Sequence, residues 1–246
     1  MAFKSGDMLL VDYAIYIRET GELIETTVES IAKKYKRYEE GRAYGPELVI
    51  VGEGRLIKGF EEAVANAEEL SRKYEVEVPP GKAYGERSPD KVKVLPARTF
   101  LRNNIVPEVG KEVTINESVG RIIAVTGGRV TVDFNHPLAG KTLRVEFTIL
   151  RKLESPEEQV RYVIRRRLKS INIESLKLAL KMEDGVAEVE LPKEYRLSEN
   201  IQVTKYLVSR DLLRWVGGIK EVVFIERYSA SEFGGGEASA SREETT

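Results

Sequence analysis

The strongest constraint on the fold is the place where one periodicity gives way to another. Up to residue 154 apolar residues alternate in short runs. Met8–Ile17 is rich in Val, Ile and Tyr, 47–51 is a brief apolar run, and 74–78 alternates again. Turn clusters separate these runs, at Thr20-Gly21-Glu22, Gly52-Glu53-Gly54, Pro79-Pro80-Gly81 and Thr126-Gly127-Gly128. The last falls between 121–125 and 129–134 and predicts a hairpin. One helix interrupts the strands: within 59–67, Phe60, Ala63, Val64 and Ala67 share a face. Strands packed on a single helix predict an α+β fold. The stretch 28–44 carries Lys33, Lys34, Lys36, Arg37, Glu39, Glu40 and Arg42 and leaves few core positions. It reads as a solvated loop or surface helix, with a docking surface for an acidic partner as the alternative.

From residue 155 the pattern is different. Ser155-Pro156-Glu157-Glu158 gives an N-cap, a Pro at the first helical position and acids in the first turn, and Val160, Ile164, Leu168 and Ile171 recur at helical spacing. Segments 176–182 and 186–191 alternate about Glu183-Asp184-Gly185 as a hairpin. Residues 198–216 place Ile201, Val208, Leu212 and Trp215 near one face of a helix; the competing reading makes 201–208 a strand and only 210–216 helix. A last strand at 221–228 completes α-β-β-α-β, a small separate domain at 155–228. Residues 229–246, SASEFGGGEASASREETT, have the Ser, Gly and Glu content of a disordered tail.

Composition removes several kinds of chemistry. With no Cys there is no disulfide and no thiolate, and a single His, His136, leaves no paired-His metal site. Lys and Arg number 39 against 40 Asp and Glu, so the chain lacks the basic excess that phosphate-backbone binding requires. No apolar run approaches the roughly 18 residues of a membrane helix. MAFKSGDMLLVDY at the N-terminus has charges inside its short apolar stretches and no signal-peptide pattern, so a cytoplasmic location is expected, with no membrane partner.

Three segments then stand out together: VGEGRLIKGFEEAV (51–64), VPPGKAYGER (78–87) and DFNHPLAGKTL (133–143). As an ordered set they resemble the FKBP-type peptidyl-prolyl cis-trans isomerases, in particular the SlyD-like branch, whose insert-in-flap domain lies between the AYG and NHPLAGK segments. The resemblance covers about the first 154 residues, and the rest is similar to the extra domain of the long archaeal members. It implies an antiparallel sheet wrapped on one short helix (1–87 and 135–154), a β-rich insert (88–134), the C-terminal domain (155–228) and the tail (229–246). No cofactor and no metal are implied, since this tail lacks the His-rich run of many SlyD members.

The chemistry of such a reaction fits a chain poor in nucleophiles. Rotation about an X-Pro bond crosses a barrier of about 18–20 kcal/mol set by amide resonance, and no bond is made or broken. An apolar pocket that favours the twisted amide, with one or two hydrogen-bond donors for the flanking carbonyls, is sufficient. The resemblance implies Phe60 as the pocket floor, where many relatives have Trp, with Leu56 and Ile57 as the wall. It assigns the Ile57 backbone N–H and the Tyr84 hydroxyl as donors, and Tyr13, Val49 and Leu138 as apolar lining. Ile24-Glu25 stands where the family has Phe-Asp, and Val145 where the last strand often carries Phe. Glu25 would orient Tyr13, while Ile24 and Val145 in place of two rings are expected to widen the cleft and lower activity. Taken singly, Phe60 reads as core and Tyr84 as a turn aromatic. His136, beside Pro137, reads as a structural hydrogen-bonding residue.

The insert holds Val92, Val94, Leu95, Phe100, Leu101, Ile105, Val106, Val109, Val113, Ile115, Ile122 and Ile123, more apolar side chains than so small a unit easily buries. The resemblance implies that it captures unfolded or nascent polypeptides with X-Pro bonds, so a chaperone role accompanies the isomerase. The alternative is a holdase that keeps the scaffold without catalysis. Arg161, Arg165, Arg166, Arg167 and Lys169 give the first C-terminal helix a basic face, read first as solvated and second as a contact for ribosomal RNA or an acidic client. A three-stranded sheet with open edges also predicts a homodimer through the final strand or the Trp215 helix.

Overall fold

In the computed structural model, which describes residues 3–102, 104–169 and 171–233, three sheets carry the chain. The first is built around β1 (Met8–Ile17), whose burial on both faces is its defining property. Leu9, Val11, Tyr13, Ile15 and Ile17 point to one core, whereas Met8 and Leu10 point to another. One edge of β1 is shared by two short antiparallel strands, β2 (Leu23–Thr26) beside its C-terminal half and β3 (Glu47–Ile50) beside its N-terminal half. Its other edge pairs with the returning strand β9 (Leu143–Lys152), which pairs in turn with β4 (Lys73–Val78). The six-residue helix α1 (Glu29–Lys34) lies between β2 and β3 and packs Ile31 over Ala14, Tyr16 and Leu23. The stretch expected to be solvated thus has one anchored turn, and its charges pair at the surface, as in Lys33–Glu29 and Arg37–Glu22, both 2.6 Å.

Helix α2 (Lys58–Asn66) fills the concave face of this sheet, with Phe60 and Val64 fully buried. Gly59 lets it approach β4: an added Cβ would lie 2.6 Å from Val78 Cγ1. Val78 is fully buried and stiff at χ1. Gly59→Ala therefore gains at most about 1 kcal/mol of helix propensity against about 1–3 kcal/mol of overpacking. A net loss of up to about 2 kcal/mol in denaturant unfolding is expected, and a stabilised variant would contradict this packing.

Between β4 and β9 the chain makes a second, four-stranded antiparallel sheet: β5 (Val92–Pro96), β6 (Glu112–Ile115), β7 (Ser118–Thr126) and β8 (Arg129–Asp133), in the order β5-β8-β7-β6. A short helix, α3 (Ala97–Arg102), not expected from the sequence, contributes Phe100 to the core with Val113, Ile122, Val130 and Val132. The β7–β8 hairpin closes through Gly127 and Gly128, both at positive φ (57° and 74°), which suits glycine in a two-residue turn.

After β9 come α4 (Pro156–Arg167), β10 (Lys177–Lys181), β11 (Val186–Glu190), α5 (Ile201–Trp215) and β12 (Glu221–Ile225). β10 and β11 form the expected hairpin, β12 joins β11 in parallel, and the segment from Ile201 is helix, not strand. α4 stops at Arg167, so Ile171 is buried beyond the helix and not on it. The unit shares a core with the first sheet: Leu153, Val160, Ile164, Val208 and Leu212 close over Met8, Leu10, Leu48 and Ile50. The start of the tail makes a 3-10 turn at Ala230–Phe233, held by Arg196 Nη1 to Glu232 Oε2 at 3.0 Å; from residue 234 the tail lies outside the described residues. Among the described residues no helix is long and apolar enough to cross a membrane.

Candidate active site

A cavity of about 340 Å³ opens where β1, β3 and the N-terminal end of α2 meet the turn that carries Tyr84. The loop before α2 is shaped by Glu61, whose Oε1 accepts the N–H groups of Gly52 (2.8 Å) and Gly54 (3.1 Å). Both glycines have positive φ, 85° and 75°, and the tight path they allow brings Leu56 and Ile57 to the cavity. Ile57 is the N-cap of α2: its carbonyl accepts from Phe60 and Glu61, while among the described residues its own N–H meets no acceptor. Phe60 lies beneath, edge-on to Tyr13 (ring centroids 5.3 Å, 66°) and tilted against Phe147 (5.3 Å, 54°).

Tyr84 is held by its turn and by the segment returning from the insert. The Gly85 N–H donates to the Pro80 carbonyl at 2.8 Å, and the Gly140 N–H donates to the Gly85 carbonyl at 2.9 Å. The ring stacks on His136, with centroids 4.4 Å apart and planes 2° from parallel. His136 Nδ1 accepts from the Leu138 N–H, which fixes the imidazole in place. Asn135 bonds both N–H and C=O of Ser88, and Arg87 pairs with Asp133 at 2.7 Å, so the two connections to the insert are stitched together. Among the described residues the Tyr84 hydroxyl has no hydrogen-bond partner. Burial, then the charge of Glu25, raises its pKa, so it remains a donor at neutral pH.

The Tyr13 hydroxyl sits between two carboxylates, Glu25 Oε1 at 3.0 Å and Glu47 Oε2 at 3.3 Å. Burial and both charges push its pKa far above that of a free phenol. Glu25 thus reaches Tyr13 despite its longer stem, with Arg42 at 3.9 Å on its other side.

Tyr13, Glu25, Val49, Leu56, Ile57, Phe60 and Tyr84 come together around the cavity, and Ile24, Leu138 and Val145 do not. Ile24 and Leu138 are partly buried against the same core, outside the cavity wall. Val145 is fully buried opposite Ile15 and Val76 and does not line the cavity. Phe147, one pleat further along β9, backs the Phe60 ring and stands in a row with Tyr13 and Tyr74.

The cavity also has walls that motif reading missed. Tyr44 and Pro46 come from the stretch before β3, Glu47 from its first position, and Tyr162, Arg165, Arg166 and Lys169 from α4 or just beyond it. The only sequence signal for the latter was the basic face, and most of that face is not solvated. Arg161 bonds Glu157 and the carbonyls of Ile173 and Leu176. Arg166 spans Glu53 (2.6 Å) and Asp211 (2.8 Å), and Arg167 also takes Asp211.

Comparison with known proteins agrees with this architecture. The model of the FKBP-type peptidyl-prolyl cis-trans isomerases matches residues 2–101, that of the FKBP26 IF domain 93–138, and that of the FKBP26 C-terminal domain 156–229. A short-type peptidyl-prolyl cis-trans isomerase of Methanocaldococcus jannaschii is 39% identical over 155 residues, covering 63% of this chain and 96% of that protein. The isomerase SlyD of Treponema pallidum is 31% identical over 150 residues (58% and 74%), and an FKBP-type 16 kDa isomerase of Escherichia coli 31% over 110 residues (43% and 72%). A sheet wrapped on one helix, an insert between AYG and NHPLAGK, and relatives of which this chain covers 72% to 96% lead to one conclusion: the chain belongs to the FKBP-type peptidyl-prolyl cis-trans isomerases and is an enzyme of that kind.

Proposed function

We propose that the cavity is the prolyl pocket of this isomerase and that the insert captures unfolded chains for it. The observation that carries the first part is the pairing of an apolar wall with two donors that lack partners among the described residues. Val49, Leu56, Ile57 and the Phe60 floor suit a pyrrolidine ring, and the Ile57 N–H and Tyr84 hydroxyl are free to take substrate carbonyls. As the amide twists, resonance is lost and the nitrogen becomes pyramidal and less dipolar, a state favoured by apolar surroundings over water. The donors hold the flanking carbonyls while the bond between them turns, and only stabilisation greater in the twisted state than in the planar one accelerates the reaction. Tyr13, with its proton held by Glu25 and Glu47, shapes the pocket and exchanges no proton.

Tyr84→Phe tests the assignment with little change of shape. Loss of one net hydrogen bond, about 0.5–1.5 kcal/mol, corresponds to a fall of about 2- to 12-fold in kcat/KM for a short prolyl peptide. An unchanged kcat/KM would remove Tyr84 from the mechanism.

The capture role rests on the insert surface. Val94, Leu101, Val106, Val109 and Val119 are each more than half exposed around a core whose buried apolar side chains, among the described residues, are Phe100, Val113, Ile122, Val130 and Val132. Exposed apolar surface of this kind suits unfolded polypeptide.

A further inference from the structure

The cavity is not built by the isomerase sheet alone. Tyr162, Arg165 and Arg166 of α4 form one side, with Lys169 just past its end, facing Arg55 on the loop before α2. The charges around it are unequally satisfied. Each carboxylate in the wall already has a partner: Glu25 and Glu47 share the Tyr13 hydroxyl, with Lys169 3.6 Å from Glu47, Glu53 is held by Arg166, and Glu61 by two backbone N–H groups. Arg166 is likewise consumed by Glu53 and Asp211.

Arg55 and Arg165 differ from these. Neither has a carboxylate within 4.0 Å among the described residues. Arg165 lies beside Gly45, where an added Cβ would be 3.9 Å from its Nη2, and its guanidinium is 5.7 Å from the Tyr162 ring centroid. Arg55 is exposed but crowded. Burial, then the neighbouring Arg166 and Arg167, lowers its pKa, against partial relief from Glu53 and Asp211. A positive group repelled by two others, on the rim of a peptide pocket, gains from an anion brought by the ligand.

We propose that Arg55 and Arg165 form a specificity subsite that favours prolyl segments with an aspartate or glutamate one or two residues from the proline, so that α4 helps choose the substrate. The proposal rests on the cavity being the prolyl pocket. Lys169, at the same rim, already has Glu47 3.6 Å away, which leaves the subsite to the two arginines.

The test uses the full chain and matched peptides with Glu, Gln or Lys at each of the two positions on either side of proline. The readout is the ratio of kcat/KM for Glu over Gln, in which any general loss of activity cancels. For a partly exposed ion pair a ratio of about 3 to 5 is expected at one position at least, with Lys below Gln. At 1 M salt, where the screening length is about 3 Å, the ratio should fall toward one. It should also fall in Arg165→Gln and Arg55→Gln and vanish in the double variant, whereas Arg18→Gln, remote from the cavity wall, should leave the ratio intact. A ratio of one at every position, or a preference that survives in the double variant, overturns the subsite. No acceleration of any peptide, Gln included, would instead overturn the assignment of the pocket on which the subsite rests.

Discussion

Asp211→Ala is expected to destabilise the chain by about 3–5 kcal/mol, the usual penalty for removing one partner of a buried ion pair. Asp211 is 2% exposed on α5 and accepts from Arg166 at 2.8 Å, Arg167 at 2.6 Å and Arg210 at 3.0 Å. Among the described residues, Arg166, with only 8% of its side chain exposed, then keeps Glu53 as its sole remaining partner, and its Nε already has none. The loss would be felt at the proposed prolyl pocket, because Glu53 belongs to the loop that brings Leu56 and Ile57 to the cavity. Burial raises the Asp211 carboxyl, but hydrogen bonds from Arg167, Arg210 and Arg166 outweigh it and leave the pKa below its ordinary 3.8. A carboxyl lowered on folding contributes stability above its unfolded pKa and loses it as pH falls through the folded value. The wild type should therefore lose this contribution only below about pH 4, and the alanine variant should lack that acid limb. Denaturant unfolding against pH measures both; a loss under 1 kcal/mol would show that the arginines find other partners.

The second large effect concerns the insert. Leu101, Val106 and Val109 are 61%, 59% and 67% exposed and contribute little to its core. Changing all three to Ser should reduce catalysed refolding of a proline-limited protein client by about tenfold or more, because the proposed capture would raise the effective concentration of X-Pro bonds near the pocket. Isomerisation of a short peptide, which needs no capture, should be unaffected. Equal refolding by variant and wild type would assign client capture to another surface.

Local chemistry made much of this legible. Gly127-Gly128 announced its hairpin because that turn demands positive φ, and Gly185 marked the other. The strand character of Met8–Ile17 was equally clear, but its second buried face was not: Met8 and Leu10 are covered by Val160 and Ile164, some 150 residues away. The same distance hid the fate of the basic face, since nothing local to Arg166 or Arg167 points to Glu53 or Asp211. Leu168 and Ile171 continued the helical period past the end of α4 because tertiary packing buries them there. At the site, the ordered motifs led to Phe60, Ile57 and Tyr84. Val145 and Phe147 lie on the same face of β9, and period-two alternation alone cannot say which of them meets Phe60.

The most direct test of the central claim is the cis-to-trans relaxation of a short Leu-Pro peptide, about 10–100 s when uncatalysed at 25 °C, with the folded chain far below the peptide concentration. The account predicts multiple turnovers and a rate proportional to enzyme, reduced by Tyr84→Phe. A folded chain that suppresses client aggregation at stoichiometric amounts yet leaves this relaxation at its uncatalysed rate would contradict it.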